Sequence, residues 1–250
     1  MSKNKTNFFR ASAEDFKKIP GSPVAYWVGG KSLDVLAKSA AIGEHVESRC
    51  GMNTSNNDYY LKLWYEVGRR KIGLGYKSVE SFLASNFEYA PYNKGGSFRK
   101  WFGNLEYCLW FGGKHYDELL NLGNHLPSRQ FYFHSCLTWS DVTSSCLSFR
   151  FVPEGTVFDG FPHKEECMPL LGFLNTTYVE KLSHILNPTI HFKLNDFARL
   201  PYIVQRDTPV VQNTADCCAL AKEDWDAYET SWDFAVNPLV AARGGALRSS

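Results

Sequence analysis

The stretch between residues 86 and 165 constrains this chain more than any other part of it. Runs of strand-forming residues over 87–92, 105–111, 131–137, 148–152 and 156–158 are cut apart by turn signals. These are Lys94-Gly95-Gly96, Gly112-Gly113 and Pro153-Glu154-Gly155. Short apolar runs bounded in this way read as β-strands. Outside that window the spacing turns helical. Residues 32–38 place apolar side chains three and four apart behind a capping Ser32, and residues 169–186 do so behind a proline tolerated in the first turn. Asn187-Pro188 ends the second helix.

The remaining segments follow the same logic. Residues 13–18 form a short amphipathic turn stopped by Pro20, Gly21 and Pro23, and 24–28 is a compact apolar run. Residues 43–57 are a polar loop; 58–68 fit helix or strand, with helix preferred. An extended piece at 191–194, a short helix over 194–200 and an acidic helical tail over 214–234 complete the reading. Strands and helices do not alternate as in a βαβ chain, so the expected fold class is α+β, without a Rossmann-type methyltransferase core. The division expected is a helical connector over 1–69, a β-rich domain over 70–205 and a C-terminal helical docking tail over 206–250.

Composition excludes several classes. The 250 residues carry 27 Lys+Arg against 26 Asp+Glu, a net charge of +1, so any nucleic acid must meet a local basic face rather than a global field. Aromatic residues make up 15% of the chain, which is incompatible with low-complexity disorder. No apolar run approaches the roughly 18–20 residues of a membrane span, and the N-terminal MSKNKTNFFR lacks the apolar stretch of a secretory signal. Seven cysteines form an odd set without a CxxC pair, so they read as reduced thiols of a cytoplasmic protein, and no metal site is expected.

Several apparent motifs lose their meaning on inspection. Gly29-Gly30-Lys31-Ser32 looks like the end of a phosphate loop, but the position that needs the first glycine is Ala25, inside an apolar run. No G-x-S-x-G marks a serine nucleophile. Glu223, Asp224, Asp226, Glu229 and Asp233 alternate with Trp225, Tyr228 and Trp232, the pattern of an amphipathic docking face rather than of catalytic carboxylates.

Two segments keep chemical interest. The loop around Asn53, Thr54, Asn56 and Asn57 offers short amide and hydroxyl groups suited to a DNA backbone or a domain interface. The segment 92–104 places Lys94, Arg99 and Lys100 among aromatics, beside a glycine pair that permits close backbone approach. That combination fits a nucleic-acid contact loop. Trp139, Ser140 and Arg150 are further candidates for DNA contact, with plain packing the competing role for Trp139 and Arg150.

These segments, in order, resemble the C-terminal portion of the PglX family, the adenine-specific DNA methyltransferases of BREX phage defence, themselves similar to type IIG restriction–methylation enzymes. The resemblance rests on FKKIPGSPVAYWV (16–28), GMNTSNNDYYLKLWYEV (51–67), PYNKGGSFRKWFGNLEY (91–107), LTWSDVTSSCLSFRFVPEGTVFDG (137–160), LLGFLNTTYVEKLSHILNPTIHF (170–192) and KEDWDAYETSWDF (222–234). It implies a target recognition domain that reads double-stranded DNA for a catalytic partner, alongside other phage-defence proteins and without a membrane. S-adenosylmethionine would be bound by the catalytic domain and not by this chain, and no catalytic residue is expected here. The family's Asn/Asp-Pro-Pro-Tyr/Phe tetrapeptide is missing, because the Asn-Pro pairs here are followed by Thr189 and Leu239. The expectation is a recognition module lacking the catalytic half. The alternatives are an adenine-specific methyltransferase acting with a partner chain and an interaction protein that does not bind DNA.

Overall fold

A computed structural model describes residues 12–19, 21–22, 24–26, 28–122, 126–142, 146–157 and 167–246. Helix α1 (Ala13–Lys17) is opened by a reciprocal cap between Ser12 and Asp15. Helix α2 (Gly30–Lys38) starts two residues before the expected Ser32, on a Gly29 N-cap. It buries Leu33 and Leu36 on one face. Helix α3 (Asn57–Tyr60) is a single turn, and strand β1 (Leu61–Leu63) follows it directly. The preferred helix over 58–68 therefore stops after one turn. Leu61–Leu63 instead pairs antiparallel with a strand far along the chain, and that pairing outweighs local propensity.

Helix α4 (Val79–Leu83) leads to β2 (Tyr89–Tyr92), β3 (Tyr107–Trp110) and helix α5 (Lys114–Asn121). Strand β3 is the middle of a three-stranded antiparallel sheet, with Cys108 opposite Lys62 on one side and Pro91 on the other. Since β1 belongs to this sheet, the sheet spans the expected boundary at residues 69 and 70. Around it lies the first core, where Phe82, Leu109, Phe111, Tyr132 and Phe133 are nearly fully buried. The Phe82 and Phe133 rings stack at 5.6 Å.

A second sheet pairs β4 (Cys136–Trp139) with β5 (Phe149–Val152) in antiparallel register, Cys136 opposite Val152 and Trp139 opposite Phe149. The strand expected over 131–137 begins later, because Arg129–Phe131 is a 3-10 turn and Phe133 has φ 70°. A left-handed residue breaks extension. At the strand expected over 156–158, Val157 makes a single bridge to Tyr92, and residue 158 lies outside the described residues.

Helices α6 (Cys167–Leu174) and α7 (Thr177–Leu186) replace the one helix expected over 169–186. The break falls at Asn175-Thr176, where the Thr176 hydroxyl caps Val179 N. Together with α8 (Leu194–Ala198), these helices close the second core over β4 and β5, and α2 contributes Leu33 and Leu36 to it. Helix α9 (Thr208–Asp226) runs over α6, close enough that a Cβ on Gly172 would sit 2.5 Å from Thr214 Oγ1. The last helix, α10 (Pro238–Ala246), exposes Leu239 and Val240.

The architecture is α+β with small antiparallel sheets. Helices α4 and α5 interrupt the region read as β-rich, so helix and strand share it. No described helix is long and apolar enough to cross a membrane.

Candidate nucleic-acid interface

The connection between β2 and β3, residues 93–106, contains the glycine pair and the three cations. It is too long for a tight hairpin, and residues distant in sequence hold its shape. At its base, Asn93 N donates to Val157 O and Asn93 Nδ2 donates to Asn104 O. Asn104 Nδ2 donates to Ser97 O at 3.0 Å, which folds the loop across itself. Ser140, just past β4, bonds both ways with the tip: Gly96 N donates to its Oγ and that hydroxyl donates to Gly96 O. Further along, Trp101 N donates to Phe149 O and Phe151 N donates to Trp101 O, joining the loop to β5. Trp101 sits at φ 73°, a costly conformation for an aromatic residue, and these bonds on both sides hold it there.

Beneath the loop lies Arg150, with no exposed surface. Its Nη1 donates to Arg99 O at 3.3 Å and to Ser148 Oγ, and its Nη2 donates to Ser140 Oγ at 3.3 Å. Among the described residues its Nε has no partner. Burial brings the guanidinium down to about 10, and the negative charge of Glu106 acts in the opposite direction. Expected as a DNA contact, Arg150 is placed inside the protein and holds the loop's backbone from below. A side chain without exposed surface reaches no phosphate while the fold stays closed.

The other expected cations have partners too. Arg99 pairs with Asp224 of α9 at 3.1 Å and lies over the Trp225 ring at 4.8 Å. Gly103, at φ 125°, makes room for this packing, since a Cβ there would fall 2.7 Å from Arg99 Cδ. Lys100 Nζ donates to Asn175 O, and Lys94 Nζ lies 4.9 Å from the centre of the Tyr107 ring. The exposed part of the loop is Gly95, Gly96, Ser97 and Phe98, with Phe98 53% exposed.

Trp139 donates Nε1–H to Phe192 O and stacks on Phe197 at 5.1 Å, so one face of its indole is covered. It also lines a cleft of about 520 Å³ between the loop and the start of α8. Lys94 from the loop and Lys193 from the start of α8 both line that cleft, as do Asn93 and Thr138. The sequence reading did not single out Asn93, Thr138, Lys193 or Asn175. Asn93 adjoins the chosen lysine, but nothing in its local sequence marks it as buried.

The Asn-rich loop is built differently. Asn53 Oδ1 accepts from Ser55 N, the Thr54 hydroxyl donates to Asn57 Oδ1, and Asn56 Oδ1 accepts from Tyr59 N to cap α3. Thr54 is buried, whereas Asn53, Asn56 and Asn57 are exposed. Just before this loop, Met52 O accepts from the Tyr92 hydroxyl and Cys50 lines the same cleft as Lys94 and Gly95. The tail's aromatic face divides: Trp225 is buried, Trp232 stacks on Trp64 and donates to Leu105 O, and Tyr228 is 55% exposed. Among the described residues, no group of three or more His, Cys, Asp or Glu is placed to hold a metal.

Compared with known proteins, the chain matches a portion of adenine-specific methyltransferases and is related to them along nearly its whole length. One relative is the adenine-specific methyltransferase PglX of Lacticaseibacillus casei (strain Zhang), 33% identical over 249 residues, which cover 93% of this chain and 20% of that protein. Another is the adenine-specific methyltransferase BrxX of Escherichia coli O9:H4 (strain HS), 30% identical over 259 residues, covering 98% of this chain and 20% of that protein. The chain thus spans about a fifth of the length of these relatives. No family model matches it.

Proposed function

We propose that this chain is the part of an adenine-specific DNA methyltransferase that reads its site on double-stranded DNA. It acts in the cytoplasm, in phage defence, with a catalytic portion or subunit and other defence proteins as partners. The observation that carries this reading is the loop over 93–104: a short exposed tip, with Lys94 at its edge, on a backbone pinned from below by Arg150 and Ser140. A tip of fixed shape enters a groove without ordering itself first, which favours discrimination between sequences. In this reading Lys94, Ser140 and the tip face the duplex, with Trp139 on the adjoining cleft wall. Arg99 and Lys100 reach phosphate only by exchanging their internal partners, and Arg150 supports from inside. Asn53, Thr54, Asn56 and Asn57 are assigned to the DNA backbone or to the interface with the catalytic portion.

Methyl transfer is assigned to that catalytic portion. Among the described residues β3 feeds a glycine pair, Gly112-Gly113, and then α5, but β3 is paired antiparallel on both sides, unlike the parallel strand that presents a cofactor-binding glycine loop. Gly29 and Gly30 open α2 without a strand before them, and both named sheets are antiparallel.

Binding of the purified chain to a panel of labelled duplexes tests the proposal. One sequence should bind at least about a thousandfold more tightly than unrelated duplexes, as specific DNA-binding proteins do. Lys94→Ala should flatten the dependence of log affinity on log salt by about one unit. Binding that ignores both sequence and salt would overturn the reading. A second reading, a docking module that never touches DNA, is favoured by the internal engagement of Arg99 and Lys100. It requires that no duplex bind while the catalytic portion still does.

A further inference from the structure

The cleft beside the loop contains polar groups that the fold itself does not use. Asn93 and Thr138 each keep only 3% of their surface exposed, and both line the cleft. The amide of Asn93 has a fixed orientation, because its Nδ2 donates to Asn104 O at 3.2 Å. Among the described residues its Oδ1 accepts no hydrogen bond and the Thr138 hydroxyl makes none, yet neither atom is sealed away from the cleft. Solvent in the cleft satisfies both groups, so a ligand that displaces it meets an acceptor and a hydroxyl already in place.

The rest of the lining narrows the chemistry. Tyr92, Trp139 and Phe192 form aromatic walls, which suit a flat ring. Lys193, also in the lining, is exposed, and its ammonium has no partner among the described residues. The one carboxylate in the lining, Asp141, lies 3.6 Å from His191 Nδ1. A volume of about 520 Å³ is within the range of small-molecule sites, roughly 300–1,000 Å³, and larger than a single backbone phosphate requires.

We propose that the cleft binds one nucleotide unit, its base against Asn93 Oδ1 and the Thr138 hydroxyl and its phosphate toward Lys193. Two sources share that chemistry: a nucleotide unstacked from a duplex, and a free mononucleotide. Only the first rests on the DNA-reading function.

Calorimetric titration of the chain with the four deoxynucleoside 5′-monophosphates, with the nucleosides and with inorganic phosphate tests the site directly. At least one monophosphate should bind saturably at millimolar concentration, more tightly than its nucleoside or phosphate alone. Lys193→Gln, an exposed change, should weaken the monophosphate about tenfold and leave the nucleoside unchanged. Thr138→Val should weaken both, with thermal unfolding reporting that the variant folds. Duplexes carrying 2-aminopurine at successive positions identify the source. A rise in fluorescence at one position, lost in Lys193→Gln, assigns the cleft to an extruded nucleotide. Monophosphate binding without such a rise assigns it to free nucleotides. Duplex binding with no monophosphate binding and no fluorescence rise overturns the cleft proposal and leaves DNA reading intact. Monophosphate binding without any duplex binding does the reverse.

Discussion

The two polar loops singled out by composition differ in where their hydrogen bonds go. In the loop over 53–57, bonds from Ser55 N to Asn53, from Thr54 to Asn57 and from Tyr59 N to Asn56 span two or three residues. In the loop over 93–104 they reach residues 44, 51, 75 and 125 positions away in Ser140, Arg150, Asn175 and Asp224. Local bonds shape the first loop and cap α3. Long-range bonds give the second loop one shape and leave Asn93 and Thr138 with unused capacity at a cleft. Short polar side chains therefore mark a site only when other elements take over the work of holding the backbone.

The largest effect expected from this contrast is at Asn175. Its Oδ1 accepts from Phe149 N and its Nδ2 donates to Phe149 O, both bonds buried. Asn175→Ala leaves the buried Phe149 N–H unpaired, while Phe149 O keeps its bond from Trp101 N, and should lower the unfolding free energy by about 2 kcal/mol, measured in urea. Amide exchange should quicken over 93–104 and stay unchanged over 53–57; equal quickening in both loops would erase the contrast. A smaller effect is expected from Asn56→Ala, which removes the cap of a single helical turn and should cost about 1 kcal/mol at most. A greater loss there than at Asn175 would show that the Asn-rich loop carries the architecture.

Smaller again is Asp224→Ala. The Arg99–Asp224 pair has its acidic partner 61% exposed, so stability should change by only about 0.5 kcal/mol. Freed from its partner, Arg99 should strengthen duplex binding a few-fold at low salt, and the gain should vanish at high salt. Unchanged binding would remove Arg99 from the DNA-facing set. Near neutral pH the smallest effect belongs to the buried thiols. Burial raises Cys108 and Cys218 to about 12 from an ordinary value of 9.0. Above pH 9 the unfolded chain gives up these protons before the folded one does. Stability is therefore undiminished below pH 9 and falls as pH rises toward 12, which denaturant titration at stepped pH would register. Exposed Cys50 should react with a thiol reagent under native conditions, whereas Cys108 should not.

The α+β class, β2, β3 and β5, and the helix expected over 32–38 were legible in sequence because each rests on local spacing and turn signals. The single helix over 169–186 was misleading, since Thr176 caps a new helix in the middle of a run whose apolar period continues. The extension expected at 131 failed because Phe133 takes a left-handed conformation that only its packed surroundings sustain.

Residue chemistry singled out Lys94, Arg99, Lys100, Ser140 and Arg150, and each of them has contacts that shape or border the loop. Charge and residue type are written in the chain, and so are the periods that sort helix from strand. Exposure is not, because it depends on which distant segment covers a side chain. That is why sequence left Arg150 open between DNA contact and packing while the fold buries it fully, and why Asn93 and Thr138 acquire meaning only where they line a cleft.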